Sequence, residues 1–403
     1  MSLRKLSIAT AIALCATGAQ AQVSGGVVKI GVLSDMSSLY ADIGGPGSVA
    51  AAKMAVEDYL KTHKGLKVEV VSADHQNKPD TGSAIARQWY DVDGVDAIFD
   101  VPTSSVALAV NEVTREKKKA FIISGAASSD LTGKACSPNS VHFTYDTWML
   151  ANGTGSAIVK TGGDSWFFIT ADYAFGHALE RDTEAVVTKN GGKVLGKVRV
   201  PLNTQDFSSF LLQAQASKAK VIGLANAGAD TTNSIKQAAE FGIVKGGQQL
   251  AGLLVFLTDI HALGLPTAQG LTFTATFYWD QNDQTRAFAK RFAPQDKGIY
   301  PTMVHAGVYA SLLHYLKAVE ALKNDTDGAK IVAKMKEMPT DDPLFGKGTI
   351  RADGRKIHDM FLLEVKRPAD SKGPWDYMKI RATIPAAEAF RPLKDGGCPL
   401  VSG

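Results

Sequence analysis

The feature that most constrains the fold is an alternation of short β-branched runs with amphipathic helical stretches, which passes once through the first part of the chain and restarts near Asp146. Residues 27–33, from Val27 to Leu33, form a short β-branched run broken only by Lys29 and Gly31, the pattern of a buried parallel strand. A Gly-rich turn at 44–47 precedes a helix from Ser48, with Val49, Ala52, Val56 and Tyr59 at helical spacing. Strands are expected at 67–73, 96–100 and 120–124, with helices at 80–90 and from about Ser104 between them. In the second pass, helices at about 148–161, from Phe175, at 207–217 and from about Asp230 alternate with strands at 166–170, 193–200, 221–225 and 250–257. A strand at 271–276 leads to helices at 283–292, 302–322 and 328–338, and strand-like runs at 348–351 and 360–366 close the chain. Strands alternating with helices give parallel sheets covered on both faces. Two such units in series predict an α/β protein of two Rossmann-like lobes, hinged, with strand ends facing a shared cleft.

At 403 residues a single hydrophobic core is too small a unit, and two domains are the expectation. The boundaries expected are 22–145 plus 278–345 for the first lobe and 146–277 plus 346–403 for the second. Residues 1–21 read as an export signal: Arg4 and Lys5, an apolar run, and small residues ending at Ala19-Gln20-Ala21. The run is short of the roughly 20 apolar residues that span a bilayer. Leu14 precedes Cys15 where a lipidated cysteine has a small neighbour, so cleavage after Ala21 into the periplasm is the expectation. Arg4 and Lys5 leave with the leader, which brings the formal charge from +4 to +2. The remaining charges are scattered, and Lys117-Lys118-Lys119 reads as a solvated helix end, so no nucleic acid is expected as a partner.

Two cysteines remain beyond the leader, Cys136 and Cys398. An even number in an oxidising compartment predicts a disulfide, with two buried free thiols as the alternative. No histidine cluster stands near either, and no metal or cofactor is expected. The chain has no G-x-S-x-G elbow, H-E-x-x-H or phosphate loop, so an enzyme is not expected. His261 and His305 read as structural. The chemistry sits at strand-to-helix junctions instead. Residues 101–106 and 124–130 are rich in small and hydroxyl-bearing side chains, and helix starts carry exposed N–H groups that suit a carboxylate. The same residues also make ordinary helix caps. In the second unit, 172–176, 226–230 and 258–261 stand at equivalent ends. Tyr40 follows the first strand as a candidate wall, and the aromatic run 277–280 lies near a crossing between lobes, where it either meets a flat ligand or packs the hinge.

The opening Lys29-Ile30-Gly31-Val32-Leu33-Ser34-Asp35, the Gly-Pro-Gly turn, and the later runs 171–176, 236–242 and 277–280 together resemble the substrate-binding proteins of branched-chain-amino-acid-type ABC importers, which are similar to the leucine/isoleucine/valine-binding protein. The resemblance covers nearly the whole chain after the leader. It implies a type I periplasmic-binding-protein fold with three crossings, no cofactor and no turnover. Its partners would be a small-molecule carboxylate and an inner-membrane ABC permease, with the protein a monomer. Carried over residue by residue, it implies that Thr103, Ser104, Ala126 and Ser128 hold the ligand carboxylate, and that Phe175, with Tyr173 beside it, forms a wall. The turn at 225–228 would close over the ligand with small residues and Asn226 where relatives often have tyrosine. An acidic position for a ligand ammonium falls near Asp259. The widened turn and the aromatic walls Tyr40, Phe175 and Tyr278 point to an aromatic acid of hydroxybenzoate, hydroxycinnamate or arylpyruvate type. Amino acids or small amides are the alternatives, and a ligand-sensing module is the alternative of another class.

Overall fold

A computed structural model describes Val23 and residues 26–401, so the leader expected at 1–21 lies outside the described residues. The first sheet is formed by β1 (Val28–Ser34), β2 (Val68–Asp74), β3 (Ala97–Asp100), β4 (Ala120–Ile123) and β5 (Ser140–His142). All its pairings are parallel, in the order β2-β1-β3-β4-β5. The second sheet contains β6 (Ser165–Ala171), β7 (Lys193–Val200), β8 (Val221–Ala225) and β9 (Gln249–Gly252), parallel in the order β7-β6-β8-β9. Central strands β3, β4, β6 and β8 are buried along their whole length, whereas the edge strand β7 alternates exposed and half-buried positions. A parallel sheet covered on both faces demands this contrast.

Helices connect the strands. In the first lobe these are α1 (Gly45–Thr62), α2 (Pro79–Gln88) and α3 (Ser104–Lys117). The first begins three residues before the expected Ser48, because Pro46 in its opening turn has the φ a helix needs and lacks only an N–H that would go unused there. The long helix Met303–Leu322 packs on α1, and Tyr309 donates to Asp58 at 2.7 Å. Gly328 of the next helix lies so close to Lys119 that a Cβ there would sit 2.1 Å from its carbonyl carbon.

Residues 250–257 depart from the single strand expected. Pairing ends at Gly252, and Leu257–Leu263 is a helix. Periodicity cannot separate a strand from a buried loop and helix start in a short apolar run. The stop comes from Asp259, whose carboxylate accepts the Phe256 amide at 2.9 Å and fixes the helix entry. Four strands were not expected from sequence: β5, too short to show a pattern, and three antiparallel partners late in the chain.

The stretch 346–403, expected in the second lobe, runs between the two. The strands β11 (Thr340–Asp342), β12 (Gly346–Ile350) and β13 (Lys356–Ile357) pair antiparallel, and Arg355 bridges to His142 at the edge of the first sheet. The strands β10 (Thr272–Ala275), β14 (Met360–Val365) and β15 (Met378–Ile384) form a separate antiparallel sheet in the order β10-β14-β15. The tail then returns to the first lobe, where Cys398 is bonded to Cys136 with a Cα–Cα distance of 5.7 Å, as expected.

The crossings lie side by side. The fully buried Arg355 donates to the Tyr145 carbonyl at 2.8 Å and lies 3.6 Å from Asp146. His358 Nε2 donates to the Thr144 carbonyl at 2.9 Å. Burial lowers the Arg355 pKa to about 10, with Asp146 opposing that shift, so the group is charged at neutral pH.

Candidate functional site

The carboxyl ends of both parallel sheets face one another, and a narrow cavity lies between them. Its first-lobe walls are Tyr40, Ile43, Pro102, Gly125 and Ala127, and Tyr173, Phe175 and Ala227 face them from the second lobe. Tyr145 completes the walls from a crossing, and Leu254 and Phe256 from the loop after β9. No charged side chain is among these lining residues.

Each wall is held by local structure. Asp35, at the end of β1, accepts the Tyr40 amide at 2.8 Å and the Asn77 side chain at 2.7 Å, and so folds the loop that carries Tyr40. Thr302 and His305, at the start of the helix Met303–Leu322, donate to the Ile43 and Gly44 carbonyls at 2.7 and 2.9 Å. Tyr145 donates to the Gly125 carbonyl at 2.6 Å. At the end of β3, Asp100 and Val101 both have positive φ, +79° and +55°, which is strained for non-glycine residues and for valine above all. This turn delivers Pro102 to the cavity.

Two contacts show the lobes closed. The Tyr40 and Tyr173 hydroxyls meet at 2.5 Å across the cleft. Gly228, with φ +59°, lies so close to the first lobe that a Cβ there would sit 2.6 Å from the Leu39 carbonyl oxygen. A second cross-cleft network has Asp182 accepting from Ser129 at 2.7 Å and Thr147 at 2.6 Å, with Arg181 on Asp130 at 3.0 Å.

Three helices start around this cavity without a side-chain cap, α3 after Thr103, Ala174–Lys189 after Tyr173, and Ala229–Glu240 after Gly228, whereas at the start of α1 the Gly45 amide donates to Ser34 Oγ at 3.0 Å. Their partial positive ends are the cationic element next to the cavity. The buried ionisable groups nearby are acids. Asp100, under Gly125, is pushed up by burial to about 6, with Ser48 and Ser34 hydrogen bonds opposing. Asp230, two residues after Gly228, is pushed up by burial to about 6.

Of the residues singled out from sequence, the structure brings Tyr40, Tyr173 and Phe175 together on the cavity. The others stand behind it. The Thr103 hydroxyl donates to the Asn77 side chain. Ser104 Oγ accepts the Ala127 and Ser128 amides at 3.3 and 3.1 Å, tying the two hydroxyl-rich turns together. Ala126 is in the core, its carbonyl accepting from His142 Nε2 at 2.7 Å, and Ala127 lines the cavity in its place. Ser128 Oγ accepts the Asp130 amide at 3.4 Å. Asn226 accepts from Thr231 at 2.8 Å and donates to Ser234 at 3.0 Å, bracing the helix start while Ala227 faces inward. Asp259 caps its helix and is held up to about 7 by burial. Tyr278 donates to the Trp375 carbonyl at 3.3 Å, and Trp279 Nε1 donates to the same oxygen at 2.8 Å, so this aromatic run packs the hinge. Sequence reasoning missed Tyr145, Leu254 and Phe256. The latter two lie in the stretch read as strand.

The periplasmic binding protein family matches residues 27–374. A periplasmic binding protein from Burkholderia mallei is 51% identical, with 94% of this chain and 100% of that chain covered and a TM-score of 0.91. A branched chain amino acid ABC transporter periplasmic ligand-binding protein from Burkholderia xenovorans LB400 is 43% identical over 93% of this chain and 99% of that one, with a TM-score of 0.82. At 20% identity the fold is shared with a solute binding protein of an R. palustris ABC transporter in complex with benzoate, covering 90% and 97% of the two chains at a TM-score of 0.79. Among the described residues no helix is long and apolar enough to cross a membrane.

Proposed function

The chain belongs to the periplasmic binding protein family, and from that premise we propose that it captures a small aromatic carboxylate between its lobes and delivers it to an ABC permease. The observation that carries this reading is the composition of the cavity wall. Five rings, those of Tyr40, Tyr145, Tyr173, Phe175 and Phe256, line the narrow space between the closed lobes. A single flat ring gains most from such walls, through stacked and edge contacts. Its carboxylate would be met by backbone amides at the uncapped helix starts, in a site without a basic side chain. The benzoate held by the R. palustris protein supports the fold's capacity for such a ligand. Thr103, Ser104 and Ser128 then act through the turns they brace.

The test is thermal unfolding of protein refolded free of ligand, against benzoate, hydroxybenzoates, hydroxycinnamates, arylpyruvates, branched-chain and aromatic amino acids, and urea. A ligand at a hundred times its dissociation constant stabilises the native state by about 2.7 kcal/mol. Stabilisation by aromatic acids is expected. Stabilisation confined to aliphatic amino acids or urea would overturn the aromatic reading and leave the capture function in place.

A further inference from the structure

Phe256 faces two spaces at once. One is the ligand cavity, where its ring meets that of Tyr145 edge-on at 6.2 Å between centres. The other is a second narrow space behind it, walled by Phe273, Ala275, Phe277, Met303, Leu363 and Met378. Among the described residues Phe256 is the one that lines both. Its backbone is fixed: the amide donates to Asp259 Oδ2 at 2.9 Å, and the carbonyl accepts the Asp259 and Ile260 amides at 3.1 and 3.2 Å. Only the side chain is left to divide the two spaces. The second space offers no unpartnered polar side chain. Thr302 Oγ1, at its edge, donates to the Ile43 carbonyl at 2.7 Å, and the Tyr278 hydroxyl donates to the Trp375 carbonyl at 3.3 Å. Its two methionines are unbranched and adapt to what they enclose, so the space suits an apolar chain and no charge. The Phe256 end of the cavity also turns a carboxylate away. Unlike the three uncapped helix starts, the start at Leu257 already holds an acid, Asp259, which takes the Phe256 amide. A bound aromatic acid therefore points its carboxylate at the uncapped starts and the far edge of its ring at Phe256.

We propose that Phe256 determines ligand length: its ring partitions the cavity from the apolar space behind it and rejects aromatic acids that carry an apolar chain opposite the carboxylate. The inference rests on the capture reading and narrows it to short aromatic acids. With the ring removed the two spaces become one, and the chain of a para-alkyl acid enters the second. Each methylene buried there is worth about fourfold in affinity.

Calorimetric titration of the ligand-free protein with benzoate, 4-ethylbenzoate and 4-butylbenzoate tests this. Wild type is expected to bind benzoate about tenfold or more tightly than 4-butylbenzoate, because extra methylenes do not fit a packed wall. Phe256→Ala is expected to reverse that order, gaining about tenfold or more for 4-butylbenzoate while weakening benzoate, which loses a ring contact. Phe256→Leu, which keeps a branched apolar side chain in place, is expected to admit 4-ethylbenzoate first and serves if Phe256→Ala does not fold. A loss by the same factor for all three acids in both variants would overturn the assignment and show Phe256 to be a wall without length selection. Wild-type binding of 4-butylbenzoate as tight as that of benzoate would overturn it too, since the ring would then bar nothing. Failure of all three to bind either wild type or variant would remove the aromatic-acid reading and this assignment together. Binding of 4-butylbenzoate by Phe256→Ala alone would uphold the assignment.

Discussion

Tyr40 and Tyr173 stand 133 residues apart in sequence and meet hydroxyl to hydroxyl at 2.5 Å across the cleft. One belongs to the loop after β1, the other to the turn after β6, and each lines the cavity. The contact exists only while the lobes are together. Its strength therefore adds to the closed state and not to the folding of either lobe.

Tyr40→Phe is accordingly expected to speed ligand release. The lost hydrogen bond is worth about 1 kcal/mol, or roughly fivefold in the dissociation rate. Stopped-flow dissociation checks this, alongside thermal unfolding of the ligand-free protein, which should move little. A slowed association with unchanged release would mean that Tyr40 guides entry and does not hold the closed state.

Gly228→Ala is expected to hold the lobes apart. The added Cβ meets the Leu39 carbonyl oxygen at 2.6 Å in the closed form, and φ +59° with ψ −134° disfavours any side chain. Ligand affinity should fall by more than tenfold, and the solution radius of gyration should stay at its open value when ligand is added. Full closure by small-angle scattering would show that the second lobe can slide to make room.

Removing the disulfide tests a part of the molecule that ligand binding does not use. Cys136 and Cys398 are 262 residues apart, and closing so long a loop is worth about 5 kcal/mol in the chain-entropy model. Cys136→Ser with Cys398→Ser should lower the unfolding temperature and the urea midpoint while leaving ligand affinity within about threefold. A large loss of affinity would place the tail among the elements that set the hinge.

Asp259 makes stability depend on pH. Burial holds its carboxyl up to about 7 in the folded protein, above its ordinary value of 3.8. The protonated form is thus the one the native state prefers. Its contribution is fully present below about pH 4, declines as pH rises toward 7, and is lost above that. Asp259→Asn keeps an acceptor for the Phe256 amide and should match wild type near pH 4. At pH 8 it should be the more stable by on the order of 2–4 kcal/mol. Chemical denaturation at the two pH values measures the difference, and an equal offset at both would show the carboxyl titrating in its ordinary range.

Much of the fold was legible because apolar runs of the right length had clear punctuation. The strands at 193–200 and 221–225 and the helix at 283–292 fall where the pattern put them, bounded by Gly191-Gly192, Lys220 and the Asn282 cap. The stretch 250–257 was misread because Leu253, Leu254 and Phe256 are apolar for a different reason: two of them face a cavity and not a sheet. The site was legible in its aromatic members, since Tyr40, Tyr173 and Phe175 follow the ends of parallel strands, where a cleft wall stands. The hydroxyl-rich turns misled because Ser and Thr satisfy backbone groups as readily as they meet ligands. Thr103, Ser104 and Ser128 all turn to protein partners. Asp230 lay within a turn that sequence had marked, yet nothing in sequence distinguishes an acid bracing a helix start from one with a free oxygen.

The Cys136–Cys398 bond also sets an order of events. Arg391 of the same tail donates to the Ser129 carbonyl at 3.0 Å, and Phe390 lies under the Arg355 guanidinium at 5.0 Å, so the back of the first lobe is finished by residues made some 260 positions after Ser129. Until they arrive, Cys136 lacks the partner it has in the fold. Among the described residues these are the only two cysteines, so they offer each other no wrong bond, and the competing reaction is with a second copy. Correct closure is therefore a contest between loop search and collision, and crowding of newly made chains, more than any internal misfold, is what would spoil it.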